Sequence, residues 1–329
     1  MYKMVSKTFL KQTGRDGVIS HMDSRRGRRG FTLVELLVVI AIIGILAALL
    51  LPVLSRCKQR AQGIICLNGG KQLMLAITMY GGDNTDFFPP NPDDANTVPG
   101  YNWCSGDVSE GGTNEFNPDV LKDPTRSLLV TYLAGNTSMF HCPGDRRSGT
   151  YTGTDPTLAG HTVPAARTFS MNQAVGTIDP GFNATGPGPG AASAHSGKPT
   201  LAVNGPWLNN NFTHRRNAPW MTYGKFTSMR IPGPSMTWVL LDEDTQNLND
   251  AAFAFGMEQA AWIDVPGTYH NLGCDFAFAD SHSEAHKWRM GSRKQGFGMS
   301  ITDPGDRADW LWMRERTSAD ASGSMPAPL

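Results

Sequence analysis

The sequence predicts an α+β protein: a long N-terminal helix, membrane-spanning in its first half, packed on a loop-rich antiparallel β domain. Three observations carry this expectation. From Phe31 to Leu51 only Thr32 and Glu35 are polar among 21 residues, and at about 1.5 Å per residue such a helix is roughly 32 Å long, close to a hydrocarbon core. Beyond Pro52, Ala61, Ile65, Leu73, Ile77 and Tyr80 recur at helical spacings, with Gly69 at the gap, between Arg56, Lys58, Gln59, Arg60, Lys71 and Gln72. That pattern continues the helix with one apolar face. After Gly81, short β-branched and aromatic runs alternate with Gly, Pro, Asn and Asp clusters, the pattern of strands and turns.

The first element is a basic leader. Met1 to Gly30 holds eight Lys and Arg against Asp16 and Asp23, and Arg25, Arg26, Arg28 and Arg29 directly precede the apolar stretch. No comparable basic cluster follows, so the positive-inside rule keeps the N-terminus in the cytoplasm and exports the C-terminal bulk. Met1 to Ser20 adds mixed polar sequence, and a start at Met22 leaves a short basic leader in front of Gly30. The whole chain has a formal net charge of zero, so the remainder after this leader is acidic, which argues against a nucleic-acid groove. An ordinary secretory signal has a shorter apolar region ending in a small-x-small site; Leu49-Leu50-Leu51-Pro52-Val53-Leu54 offers none.

Glu35 is the residue a plain anchor has no reason to carry. A carboxylate near the centre of a membrane helix costs about 2.5–3.5 kcal/mol, less near the interface, and calls for a cationic partner. Its setting, Gly30-Phe31-Thr32-Leu33-Val34-Glu35, resembles the signature of type IV prepilins and type II secretion pseudopilins. The resemblance implies that a prepilin peptidase cuts between Gly30 and Phe31 and N-methylates Phe31. It also implies a pilin-like fold, a single-pass inner-membrane location with the C-terminal domain periplasmic or extracellular, and assembly with other pseudopilin subunits on a membrane platform driven by an ATPase. Physically, cleavage creates an ammonium on Phe31 that the Glu35 carboxylate of a neighbouring chain neutralises in lipid.

The resemblance narrows further along the chain. Cys66-Leu67-Asn68, Lys71-Gln72-Leu73, Met79-Tyr80, Asp83-Asn84 and Pro89-Pro90-Asn91, with Phe140-His141-Cys142-Pro143-Gly144-Asp145, Thr168-Phe169-Ser170-Met171-Asn172 and Leu241-Asp242-Glu243, resemble the large pseudopilin-like families of planctomycete and verrucomicrobial bacteria. These end in a motif of His, nine residues, Asp-Gly. Here His270 and Asp280 hold that spacing and Ser281 stands in place of the Gly.

The organisation expected is a leader at 1–30, a helix at 31–80 that spans the membrane at 31–51, and an exported domain at 81–329. Pro52 is expected to kink the helix and to matter for assembly. Gly69-Gly70 weakens it by about 1 kcal/mol per Gly, and Gly81-Gly82-Asp83-Asn84 ends it. A short helix is expected over Asp123–Leu133, capped by Asp123 with Pro124 at its first position. Gly176 to Gly197 reads as an exposed loop. Thr237–Leu241 is the clearest buried strand, and Asp275–Asp280 a half-buried one with His282–Trp288 returning beside it.

For chemistry, His270, Asp280, His282, Glu284 and His286 offer a zinc or acid/base cluster. The reading preferred from sequence is structural: Asp280 opens a hairpin turn and His270 hydrogen-bonds across its base. Asp242, Glu243 and Asp244, or Asp83 with Asp86, suit Ca²⁺ by ligand type but lack EF-hand spacing. No resident metal or other cofactor and no enzymatic activity are expected, since phosphate loops and nucleophile elbows are absent. Five cysteines would fold in an oxidising compartment. Cys66 and Cys142, both in segments that carry the resemblance, are expected to pair, a link worth roughly 4 kcal/mol in the chain-entropy model; two free buried thiols are the alternative. The competing function is a membrane-anchored polysaccharide-binding module with Trp103, Trp207, Trp220 and Trp262 as stacking platforms, against which stands ordinary core packing of tryptophan.

Overall fold

The computed structural model describes residues 32–91, 102–180, 198–289 and 298–326. The leader, the cleavage position Gly30-Phe31 and most of the loop expected at Gly176–Gly197 lie outside them. The chain forms two units, Met1–Pro52 and Val53–Leu329, and helix α1, Leu33–Asp83, runs continuously through Pro52.

In the first unit the helix opens on a reciprocal cap. The backbone N and Oγ1 of Thr32 donate to Glu35 Oε2 at 2.8 and 2.7 Å, and the Glu35 N–H donates to Thr32 Oγ1 at 3.2 Å. Two of the otherwise unpaired first-turn donors are thereby satisfied. Leu33, Leu36, Leu37, Ile40, Ile43 and Leu50 are all more than half exposed. The stretch is long and apolar enough to cross a bilayer.

The second unit is built on a five-stranded sheet of β1 (Phe169–Asn172), β2 (Trp238–Asp242), β3 (Ala252–Phe253), β4 (Gly273–Phe278) and β5 (Ser283–Lys287). The spatial order is β5-β4-β2-β1-β3, antiparallel except for the β1–β3 pair. Alternation along the strands, shifted by an irregularity between Trp238 and Leu240 in β2, divides two cores. Met171, Leu240 and Ala277 pack with Cys66, Leu73, Met74 and Ile77 of α1. Trp238, Leu241, Phe276 and Phe278 pack on the opposite side with Trp310 and Met313 of helix α3, Pro304–Thr317. Asp303 caps α3, accepting from the Asp306 N–H at 3.0 Å. The α+β pilin-like architecture expected from sequence is the one observed, with a parallel edge pair added.

Four local expectations change. The buried face of α1 is Cys66, Gly69, Gly70, Leu73, Met74, Ala76, Ile77 and Gly81, whereas Ile65 is 59% exposed and Ala61 is also exposed. Gly69 and Gly70 are close-approach positions: an added Cβ would stand 3.3 Å from the Met139 carbonyl oxygen at Gly69 and 3.4 Å from the Phe169 ring at Gly70. Asp123 does not start a helix. It ends α2, Asp119–Lys122, because its carboxylate accepts from the Thr125 N–H and hydroxyl at 2.9 and 2.6 Å, closing a turn before the 3-10 segment Leu128–Leu133. Strand β4 is buried on both faces rather than one, since α1 covers one side of the sheet and α3 the other.

The β4–β5 hairpin turns at Asp280-Ser281. Asp280 Oδ1 accepts from the His282 N–H at 3.1 Å, and Ser281 sits at φ 71°. A side chain there pays the left-handed cost that Gly avoids. Ser281→Gly is therefore expected to stabilise the fold by about 0.5–1 kcal/mol, read as an upward shift in the urea midpoint of the detergent-solubilised chain; an unchanged or lower midpoint would contradict it.

Candidate functional site

The structure gathers five polar side chains at the seam of α1, the Cys142 loop and the central sheet. Cys66 lies on the buried face of α1, Asp242 ends β2, Asp275 lies on β4, and His270 precedes β4. Strand alternation explains the carboxylates: Asp242 is two residues from Leu240 and Asp275 two from Ala277, so both point to the α1 side. Cys142 arrives on a loop held by Gln62 Nε2 donating to the Pro143 carbonyl at 2.7 Å and by Arg147 gripping Asp145 at 2.8 and 3.0 Å. Burial raises the Asp145 carboxyl, but the His141 ring 3.6 Å away and the Arg147 guanidinium hold it below its usual range.

Within the pocket the Cys66 thiol donates to Asp242 Oδ2 at 2.8 Å, and Cys142 Sγ lies 3.1 Å from His270 Nε2. The same nitrogen is 3.2 Å from Asp275 Oδ2 and 3.8 Å from Asp242 Oδ2. The Gly144 N–H donates to Cys142 Sγ at 3.2 Å, and Thr168 Oγ1 donates to Asp242 Oδ1 at 3.1 Å. Gly144 has no room for a side chain, because a Cβ would meet Tyr269 at 2.8 Å and both Cys142 Sγ and the His270 ring at 3.2 Å. Asp242 and Cys142 are wholly buried, Cys66 and Asp275 nearly so.

Burial and crowding set the protonation of this group. Burial pushes the Cys66 thiol well up, and burial together with the Asp242 charge lifts Asp275 to about 7. Burial opposes the charged forms of Cys142 and His270 as well. The neighbouring Cys66 and His270 side chains nevertheless hold Cys142 below the ordinary thiol value, and the neighbouring Asp242 and Cys142 raise His270 to about 10. The Cys142 sulfur and the His270 ring thus lie against each other beside two buried acids. One ring nitrogen faces both the sulfur and the Asp275 carboxylate, so the nucleophile–base–orienter relay, which uses both nitrogens, is not formed.

The sequence-predicted residues separate into those brought together and those not. Cys66 and Cys142 meet in this pocket as free thiols. His270 and Asp280 do not meet, since the length of β4 lies between them; Asp280 instead holds His282 Nδ1 at 2.5 Å. His270 therefore does not brace the hairpin turn, and its ring serves the pocket. His286 turns the other way, to Asp309 Oδ1 at 3.0 Å, stacked on Trp312, and Glu284 is exposed. The acidic run does not converge: Asp242 faces α1, while Glu243 accepts from the Ser170 hydroxyl in the sheet. Asp83 and Asp86 accept separately, from the Tyr132 hydroxyl at 3.1 Å and the Thr227 N–H at 3.0 Å. Trp103, Trp220 and Trp262 are core residues at 0, 8 and 2% exposure, which removes three of the four stacking platforms. Trp207 is half-buried against Phe212. Sequence reasoning missed Asp242 and Asp275 as partners of the cysteines; the period of two in β2 and β4 was the available signal.

A model of the prokaryotic N-terminal methylation motif matches residues 25–51, the basic, apolar and Glu35-bearing stretch. The type II secretion system core protein G of Pseudomonas aeruginosa is 40% identical over 60 residues, 18% of this chain and 42% of that protein. The type IV wide pilus major component PilA4 of Thermus thermophilus is 42% identical over 62 residues, 19% of this chain and 47% of that protein. The type IV major fimbrial protein FimA of Dichelobacter nodosus is 33% identical over 118 residues, 33% of this chain and 69% of that protein. The chain thus spans somewhat under half the length of the first two relatives and about two thirds of the third. No solved structure matches it. A long apolar helix entering an α+β domain defines a membrane-anchored, pilin-like protein. With the prepilin motif and the fimbrial relative, the chain belongs to the type IV pilin and pseudopilin family.

Proposed function

We propose that the protein is a structural subunit of a type II secretion or type IV pilus-like filament. It is inserted with its N-terminus in the cytoplasm, cut between Gly30 and Phe31, N-methylated on Phe31, and polymerised in the inner membrane through residues 31–51. The observation that carries this reading is Glu35: a carboxylate in an apolar helix, four positions after Phe31, inside the matched methylation motif. In the single chain Glu35 caps its own helix through Thr32. In a filament the same carboxylate is placed to neutralise the Phe31 ammonium of a neighbour, which lipid would otherwise leave unpaired. Methylation preserves that positive charge. Pro52, inside α1, lies one residue past the apolar stretch, where its missing N–H removes one backbone bond of the helix between stacked subunits.

The partners on this reading are a prepilin peptidase and methyltransferase, other pseudopilin subunits, and a membrane platform with its ATPase. N-terminal mass spectrometry of the protein from a host with the peptidase is expected to find chains that begin at methylated Phe31. Chains that keep the leader, starting at Met1 or Met22, would overturn the processing step.

A further inference from the structure

The pocket at the α1 seam is not used by the filament reading. Sγ of Cys66, Sγ of Cys142, a carboxylate oxygen of Asp242 and a ring nitrogen of His270 all lie within 4.8 Å of one another. A tetrahedral zinc ion with bonds of about 2.0–2.3 Å holds its donors roughly 3.3–3.8 Å apart. The separations of 2.8 Å for Cys66–Asp242, 3.1 Å for Cys142–His270 and 3.8 Å for His270–Asp242 bracket that range.

We propose that Cys66, Cys142, His270 and Asp242 bind one zinc ion, which fastens α1 to the Cys142 loop and the central sheet. Charge supports it: two thiols and two carboxylates are buried around one imidazole, an excess of acid that a divalent cation neutralises. Orphaned atoms support it as well, because Asp275 Oδ1 and His270 Nδ1 are buried without a hydrogen-bond partner. The supporting shell is in place. Thr168 orients Asp242, the Gly144 N–H points at Cys142 Sγ, and the space a Cβ would fill at Gly144 is kept clear. Two sulfurs with nitrogen and oxygen select zinc over calcium or magnesium, which take oxygen ligands. An open groove of about 400 Å³, lined by Arg56, Gly63, Ile64, Leu67, His270 and Asp275, gives access. Binding releases the thiol protons to solvent and leaves two thiolates on the metal.

The test uses the full-length chain in detergent, purified anaerobically, assayed for zinc by elemental mass spectrometry and titrated with Zn²⁺ and Co²⁺. One equivalent of zinc is expected, with Cys66 and Cys142 protected from alkylation until a chelator is added. Cobalt should give the thiolate charge-transfer band and intense visible bands of a tetrahedral sulfur site. Thr168→Val should weaken zinc by roughly 10–100-fold, as outer-shell changes do, and Cys142→Ser and His270→Gln by more. Circular dichroism checks that each variant folds, and the cobalt spectrum of the unaltered chain stands whether or not they do. Three outcomes overturn the site: no zinc uptake with both thiols reduced, zinc retained in the Cys66→Ser/Cys142→Ser double variant, or a Cys66–Cys142 disulfide in cells alkylated before lysis.

Discussion

Glu35→Ala is expected to abolish filament assembly while leaving membrane insertion and leader cleavage intact. The lost carboxylate strands a neighbour's Phe31 ammonium in lipid at a cost of a few kcal/mol per subunit contact, and the cost repeats along a polymer. The structure adds a complication that the test must resolve. Glu35 also accepts from the Thr32 N–H and hydroxyl, and losing such a cap costs about 1 kcal/mol on its own. Glu35→Gln separates the two roles, because its amide oxygen still accepts the capping bonds but carries no charge. Equal loss of sheared filaments in both variants, with normal amounts of processed subunit in the membrane, is the expected result. Assembly restored in Glu35→Gln would assign the residue to capping and sink the charge-pairing account.

The second large effect concerns the core on the α3 side. Trp238 is fully buried in β2, donates its indole N–H to Thr317 Oγ1 at 3.0 Å, and meets Phe253 and Phe276 edge-on. Trp238→Ala is expected to destabilise the domain by about 3–5 kcal/mol, from lost transfer energy and the cavity left between sheet and helix. Trp238→Phe keeps most of the volume and loses the hydrogen bond, so it should cost roughly 1–3 kcal/mol. Urea unfolding of the full-length chain, followed by near-ultraviolet circular dichroism, measures both. A Trp238→Ala loss below that of Trp238→Phe would show that the packing assigned to this residue is wrong.

What could be read in advance follows from how local each signal is. The apolar run Phe31–Leu51, Glu35 within it and the buried strand around Trp238–Leu241 depend on neighbours in sequence, and all were legible. The seam of α1 was read one residue off, at Ile65 rather than Cys66, because its contacts are made by Cys66, Gly69 and Gly70. These score poorly as a hydrophobic stripe yet permit the closest backbone approach. The pairing of Cys66 with Asp242 joins residues 176 apart, and that of Cys142 with His270 residues 128 apart. No periodicity reports contacts of that range. His270 was sought beside Asp280 because they share a motif, but a strand intervenes and the fold uses each at its own end. Ser281, which stands where the motif has Gly, takes the left-handed conformation and bears the strain.

The placement of Asp242 and Asp275 also bears on how the domain folds. Both reach the α1 side only because β2 pairs with β4 in one register, Leu241 opposite Phe276 and Leu240 opposite Ala277. A slip of one residue in either strand would turn its carboxylate into the aromatic layer of Trp238, Phe276 and Trp310, where an unpaired charge is heavily penalised. The two acids thus act as a proofreading device for strand alignment. Only the observed alignment keeps both acids on the side of the sheet that α1 covers.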